Sequence, residues 1–317
     1  MGRTPTSYPL PWRERERVRG HYNPMCSSIT IKIADISCRV SSEDPALGIT
    51  ASGASRLFLA DCEIPDILLG VDWGDLAENP LHGHPVFDSG SLWRLHQEDD
   101  TYCFTIYSRS LGAVPYKAAE MRKNFTSGRI SVHRPHFNGA TVVEPLEYPL
   151  DELIFAYFLA LGKGIEVHAC GILDEHGAGH LFIGQSGAGK TTMARICQNE
   201  PGIVVLSDDR IVVRRLEDTY WMYGTPWHGD AALASPIRAP LSGLYFLEKG
   251  GRNSLRPLAC TEAMMRLFAC SFPPFFDAQG ISSVLAFMGE IVQAVPCFEL
   301  TFVPSREVIE MILAKGS

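Results

Sequence analysis

The sequence predicts an α/β protein in which a strand-rich N-terminal domain, residues 25–148, precedes a phosphate-loop domain, residues 149–317. Three observations carry that expectation. Alternating apolar and polar runs with Gly and Pro breaks dominate the first part, with no convincing long helix. Strands and helices interleave after Pro149. Between one such strand and helix lies Gly184-Gln185-Ser186-Gly187-Ala188-Gly189-Lys190-Thr191, of the form G-x-x-x-x-G-K-[ST].

Residues 1–24 carry Trp12-Arg13-Glu14-Arg15-Glu16-Arg17-Val18-Arg19 and lack both a core-forming pattern and a signal-peptide apolar stretch. They read as a disordered tail, and Met25 is a candidate start. The run from Ile29 to Val40 alternates as a half-buried strand does. Ser91–His96 and Tyr102–Tyr107 read as a hairpin across the polar link 97–101, and Arg129–His133 as a further strand.

The texture changes at Pro145–Pro149. Asp151 is a candidate cap for a helix from Leu153 to Leu161, ended by Gly162 and Gly164. Strands are expected at Ile165–Leu173, Leu181–Ile183 and Ile203–Leu206, with a helix from Lys190 to about Gln198. Ile211–Arg215 and Tyr220–Tyr223 suggest a hairpin, and Leu241–Leu247 and Cys297–Val303 strands. Helices are expected near 261–269, 280–294 and 305–314.

A net charge of −8 argues against a nucleic-acid partner, which would require a basic face. No apolar stretch approaches the roughly 20 residues that span a bilayer, so no membrane partner is expected. The nine cysteines form no C-x-x-C pair and read as reduced thiols of a cytoplasmic protein. His82, His84, His133 and His136 come in close pairs, but no acidic or Cys ligand accompanies them at metal-site spacing.

In a glycine-rich loop opening a helix, backbone N–H groups converge on phosphate oxygens and the helix dipole adds positive potential. The residues from Gly184 to Thr192 are therefore the candidate nucleotide site. Lys190 is assigned to the β- and γ-phosphates of ATP, and the Thr191 hydroxyl to Mg2+. Val204-Val205-Leu206-Ser207-Asp208-Asp209-Arg210 then places two aspartates at a strand's C-terminal end, the edge where ligands bind in open α/β sheets. One carboxylate can hold the metal, and the other can take the proton of an attacking hydroxyl. His168, in an apolar strand, reads alone as an ordinary core histidine.

Together these segments resemble the catalytic domain of HPr kinase/phosphorylase, a family related in fold to phosphoenolpyruvate carboxykinase. That family has an H-G or H-A pair on a strand, then G-x-S-G-x-G-K-[ST], then A-D-D-R. Here His168-Ala169, Gly184–Thr191 and Ser207-Asp208-Asp209-Arg210 follow in that order. The resemblance implies Asp208 as general base, Asp209 as a magnesium-site or phosphate-orienting carboxylate and His168 as a group near the transferred phosphate. It covers roughly residues 150–315 and is strongest at 165–215. Ser235-Pro236-Ile237-Arg238 stands where bifunctional members carry L-E-[IV]-R, with proline in place of a metal-side glutamate. The chain therefore looks more like the HPr-kinase-related group, some of whose members phosphorylate serine in small peptides.

Gly224-Thr225-Pro226-Trp227-His228-Gly229-Asp230 reads either as a substrate-closing loop, with His228 or Asp230 at the acceptor, or as a rigid turn with Trp227 packed inward. Arg238 is a further candidate for phosphoryl contact, by its place near the family's arginine. Ser271–Phe276 reads as a core-covering loop or oligomer contact. The expected activity is an ATP- and Mg2+-dependent serine kinase acting on a protein or peptide, in a possible homo-oligomer. The alternatives are a nucleotide-responsive binding module and a small-metabolite kinase.

Overall fold

The computed structural model describes residues 27–77, 83–109 and 112–316. The expected tail at 1–24, the candidate start at Met25 and His82 lie outside the described residues.

The first half is a strand series: β1 (Ser28–Ile33), β2 (Ile36–Ser41), β3 (Gly48–Ile49), β4 (Ile67–Gly74), β5 (His84–Asp88), β6 (Trp93–Glu98), β7 (Thr101–Ile106), β8 (Lys117–Arg122), β9 (Ser127–His133) and β10 (Val142–Val143). Eight of these make one sheet in the order β1-β2-β4-β9-β8-β7-β6-β5, and β10 pairs β3 separately. The run from Ile29 to Val40, expected as one strand, is a hairpin instead. Ala34 and Asp35 both adopt positive φ, 52° and 57°, as a two-residue turn matched to strand twist requires. The β6–β7 hairpin turns through Asp99 and Asp100, with Asp99 at φ 46°.

The second half begins with α1 (Leu150–Ala160), followed by β11 (Ile165–Leu173), β12 (Gly179–Ile183), α2 (Lys190–Gln198), β13 (Val204–Ser207), β14 (Arg210–Leu216), β15 (Thr219–Gly224), β16 (Arg238–Lys249), β17 (Ser254–Pro257), α3 (Cys260–Ala269), α4 (Ala278–Ala294), β18 (Cys297–Phe302) and α5 (Arg306–Gly316). The whole is mixed α/β. Among the described residues no helix is long and apolar enough to cross a membrane.

Helix α1 starts three residues before the expected Leu153, with Pro149 at the N-cap and no side-chain cap. Asp151 therefore lies inside the first turn. Gly162, at φ 83°, supplies the left-handed residue that ends the helix. Nearly every face of α1 is buried, because its Leu150, Ile154, Phe155, Tyr157 and Phe158 join the core beneath the first sheet. Trp227 and Tyr223 reach into the same core. Burying each such side chain stabilises by roughly 1.5–3 kcal/mol, so the two halves are held by shared apolar packing.

The second sheet is mixed in direction, which interleaved strands and helices did not reveal. Strand β16 pairs antiparallel with β15 through 238–240 and then parallel with β12 through 241–246, so the path β12-β11-β14-β15-β16 returns on itself. One face is covered by α3 and α4, around Leu267, Met288 and Ile291. The other carries α2 and α5, around Met193, Cys197 and Ile309.

Candidate active site

Strand β11 organises the site. β12 and β13 both pair with it antiparallel, so they run parallel to each other and end at the same edge. Ile183, the last residue of β12, lies opposite Ala169, and Ser207, the last of β13, lies opposite Gly171. The glycine-rich loop after Ile183 and the aspartates after Ser207 thus emerge on either side of His168. His168 itself pairs with Arg210, and the backbone N–H of Gly184 donates to its carbonyl at 3.5 Å.

The loop has the backbone that phosphate binding needs. Gly187 and Gly189 sit at φ 79° and 113°, a region that side chains rarely adopt. A Cβ at Gly184 would meet the Ala188 Cβ at 2.6 Å, so that position too must stay bare. Gly189 is the N-cap of α2 and offers no side-chain cap. The first N–H groups of the helix, at Lys190, Thr191 and Thr192, have no intrahelical partner by position. Gln185, Ser186 and Gly187 are exposed, whereas Ala188, Thr191 and Thr192 are half-buried. Lys190 is buried, and its Nζ donates to the Gly184 and Gln185 carbonyls at 2.8 and 3.2 Å. Burial lowers its pKa, partly opposed by the charge of Asp209.

The two aspartates have different surroundings. Asp208 is 0% exposed, and its carboxylate accepts from the backbone N–H groups of Gly229 at 3.0 Å, Ala231 at 2.9 Å and Leu233 at 3.3 Å. A carboxylate has about four acceptor sites, so the three backbone donors occupy most of them. Asp208, expected as the general base, has the 229–233 loop folded around its carboxylate. Asp209 is partly open. Its Oδ1 lies 2.8 Å from His168 Nε2, and its Oδ2 accepts from Arg210 Nη1. Burial alone would raise the Asp209 pKa, but the His168 hydrogen bond and the charges of Arg210 and Lys190 hold it below the ordinary carboxylate range. For His168 burial is the largest influence and lowers the pKa, opposed by Asp209, and its Nε2 faces a carboxylate oxygen that can only accept.

Arg210 joins these groups to α1. Its Nε donates to Glu152 Oε1 at 2.8 Å and lies 3.3 Å from Glu166 Oε1, and Phe272 covers the guanidinium at 4.3 Å. Glu152 and Glu166 were not singled out from the sequence, and Phe272 lies in the Ser271–Phe276 segment expected as a core-covering loop or oligomer contact. One signal was available for Glu166: it stands two residues before His168 on a strand, and period-two alternation puts both on one face.

The remaining candidates divide. His228 and Asp230 lie on the loop that encloses Asp208, with His228 half-buried and Asp230 exposed. Gly229 between them packs on the acids, since a Cβ there would meet Asp208 Oδ2 at 2.9 Å and Asp209 Cβ at 3.2 Å. Trp227 is packed inward and donates from Nε1 to Asp151 Oδ2 at 2.7 Å. Arg238 is not brought to the loop. Its Nη1 donates to Asp35 Oδ2 at 2.6 Å, and its guanidinium stacks on Trp221 at 4.5 Å, so it joins the β1–β2 turn to the second sheet. Among the described residues no group of three His, Cys, Asp or Glu side chains could hold a metal ion without other donors.

Fold and site together define a mixed α/β protein with a glycine-rich strand–turn–helix beside one buried and one half-buried aspartate. The HPr(Ser) kinase/phosphatase from Coxiella burnetii is among the solved structures that match. Its identity is 12% and its TM-score 0.26, over 47% of this chain and 91% of that chain. A score that low carries no argument about fold or function. No protein-family model matches the chain, and no curated protein does.

Proposed function

We propose that the chain is an ATP- and magnesium-dependent kinase that transfers the γ-phosphoryl group to a hydroxyl, that of a serine in a protein or peptide. The observation that carries this reading is the convergence at one sheet edge of the Lys190 loop and the Asp209 carboxylate, near enough for each charge to shift the other's titration. In phosphoryl transfer the protein mainly positions groups and stabilises charge, and such a pair supplies both.

In this reading the loop amides from Gly187 to Thr192 and the start of α2 receive the phosphates. Lys190 exchanges the Gly184 and Gln185 carbonyls for phosphate oxygens. When bound, magnesium would neutralise charge on the β- and γ-phosphates. The Thr191 hydroxyl is the donor this chain offers it, the rest coming from phosphates and water, as that ion prefers. Asp209, in place of Asp208, takes the proton of the acceptor hydroxyl. His168 and Arg210 hold its two oxygens, and in this reading the cationic Arg210 on Oδ2 disfavours a second cation there, so the metal role expected of Asp209 passes to Thr191 and water. A base of depressed pKa is weak, but a loose transition state asks little of it. His228 and Asp230 border the acceptor side.

One observation favours a second reading, a nucleotide-responsive binding module: the more deeply placed aspartate holds a loop rather than facing an acceptor. Incubation with labelled ATP and serine-containing peptides, comparing wild type with Lys190→Ala, separates the two. Label on a peptide that vanishes in the variant supports the kinase, whereas ATP binding with no transfer supports the module.

A further inference from the structure

Two carboxyl groups converge on one nitrogen of Arg210. Glu152 Oε1 is 2.8 Å from Nε and Glu166 Oε1 is 3.3 Å from it. That nitrogen carries a single hydrogen. The hydrogen serves Glu152, which leaves both oxygens of Glu166 without a hydrogen-bond partner although its side chain is only 1% exposed. An ionised carboxylate so placed is strongly disfavoured. A neutral Glu166 instead carries an O–H donor, and Glu152, whose Oε1 meets the same Arg210 Nε, is the neighbouring carboxylate that can accept it.

The other charged groups around the pair agree. Arg210 faces it from β14, Asp151 and Glu152 from the first turn of α1, and Tyr148 from just before that helix. Asp151 is tied to the indole of Trp227 and the N–H of Glu152. With one proton on the pair, its single negative charge balances Arg210, and Asp209 is balanced by Lys190. Without that proton a second negative charge competes with Asp209 for the guanidinium.

We propose that Glu152 and Glu166 hold one proton between them and act as positioning residues, leaving Arg210 free to hold Asp209 beside the glycine-rich loop. Burial, followed by the neighbouring Glu152 carboxylate, pushes the Glu166 carboxyl well above the ordinary range. Neither glutamate touches the loop. Their effect on transfer rests on the kinase reading above, but the shared proton does not.

Infrared spectroscopy with transfer assays tests this. Wild type at neutral pH is expected to show a protonated-carboxyl stretch that Glu166→Gln lacks. Glu152→Gln is expected to lack it too, because Glu166 then ionises against Arg210. The three proteins are compared in an Asp151→Asn background, because the Glu152 charge also raises the Asp151 carboxyl. Glu166→Gln is expected to retain transfer at neutral pH. On the alkaline side the wild-type rate falls by about tenfold per pH unit once the pair loses its proton, whereas the Glu166→Gln rate stays flat. Equal carboxyl stretches in wild type and both variants would overturn the proposal, as would a Glu166→Gln protein with the wild-type alkaline fall. If the stretch is present in wild type and lost in both variants while wild type transfers no phosphate, the shared proton stands and the kinase reading fails.

Discussion

His168 Nε2 lies 2.8 Å from Asp209 Oδ1, so the histidine of the central strand fixes the one loop-side carboxylate that keeps open acceptor sites. Asp208, its neighbour in sequence, is enclosed by three backbone donors.

The two aspartates are therefore expected to fail differently when replaced. Asp208→Asn places an amide N–H2 where Oδ2 accepts from Ala231, at a cost of about 1–3 kcal/mol for the lost acceptor. Asp209→Asn takes a partner from Arg210 and a carboxylate that the fold favours ionised, so it too should cost stability, and it should lower transfer by about 10²–10⁴-fold. Urea unfolding and transfer rates on the same preparations check this. An Asp208→Asn protein of full stability and no activity would return the base role to Asp208.

Much of this was legible in the sequence. The apolar runs around the loop located β11, β12, α2 and β13 closely, and G-x-x-x-x-G-K-T gave the loop itself. What escaped had physical reasons. The Ala34-Asp35 turn carries no glycine or asparagine, so a hairpin resembled one long strand. Strand β8 buries Lys117, whose Nζ bonds the Glu144 and Pro145 carbonyls and Glu147, and apolar patterning does not register a buried lysine. The role of Asp208 depends on donors 21 to 25 positions later, which a local motif cannot contain.

Arg238 tests the same distinction between motif position and geometry. Because it bonds Asp35 and stacks on Trp221, Arg238→Ala should leave transfer close to wild type. Being largely exposed, the ion pair contributes at most about 1 kcal/mol to stability. A loss of transfer beyond about 10²-fold would mean that the arginine reaches the phosphoryl group.

Gly229 is expected to tolerate no side chain. An added Cβ would meet Asp208 Oδ2 at 2.9 Å, so Gly229→Ala must displace the loop that the acid holds. A cost of about 1–3 kcal/mol follows, together with reduced transfer. Thermal melts of the variant check the first part, and a melt identical to wild type would show that the loop yields freely.

Asp151 gives a pH signature. Burial pushes its carboxyl up to about 7, against the hydrogen bond from Trp227. A carboxyl raised in the folded state favours folding fully below its unfolded pKa of about 3.9, and that contribution is lost as pH rises through the folded value. Stability of wild type relative to Asp151→Asn should therefore decline between about pH 4 and pH 7. Parallel stability curves across that window would show that Asp151 is ionised throughout.

The kinase reading depends on Lys190 and Asp209 serving one phosphoryl group. Its most direct test is transfer of labelled γ-phosphate from ATP to serine-containing peptides by wild type, Lys190→Ala and Asp209→Asn, with ATP binding measured alongside. The expected result is transfer by wild type alone, with ATP binding lost in Lys190→Ala and kept in Asp209→Asn. Transfer by Asp209→Asn at the wild-type rate would contradict it.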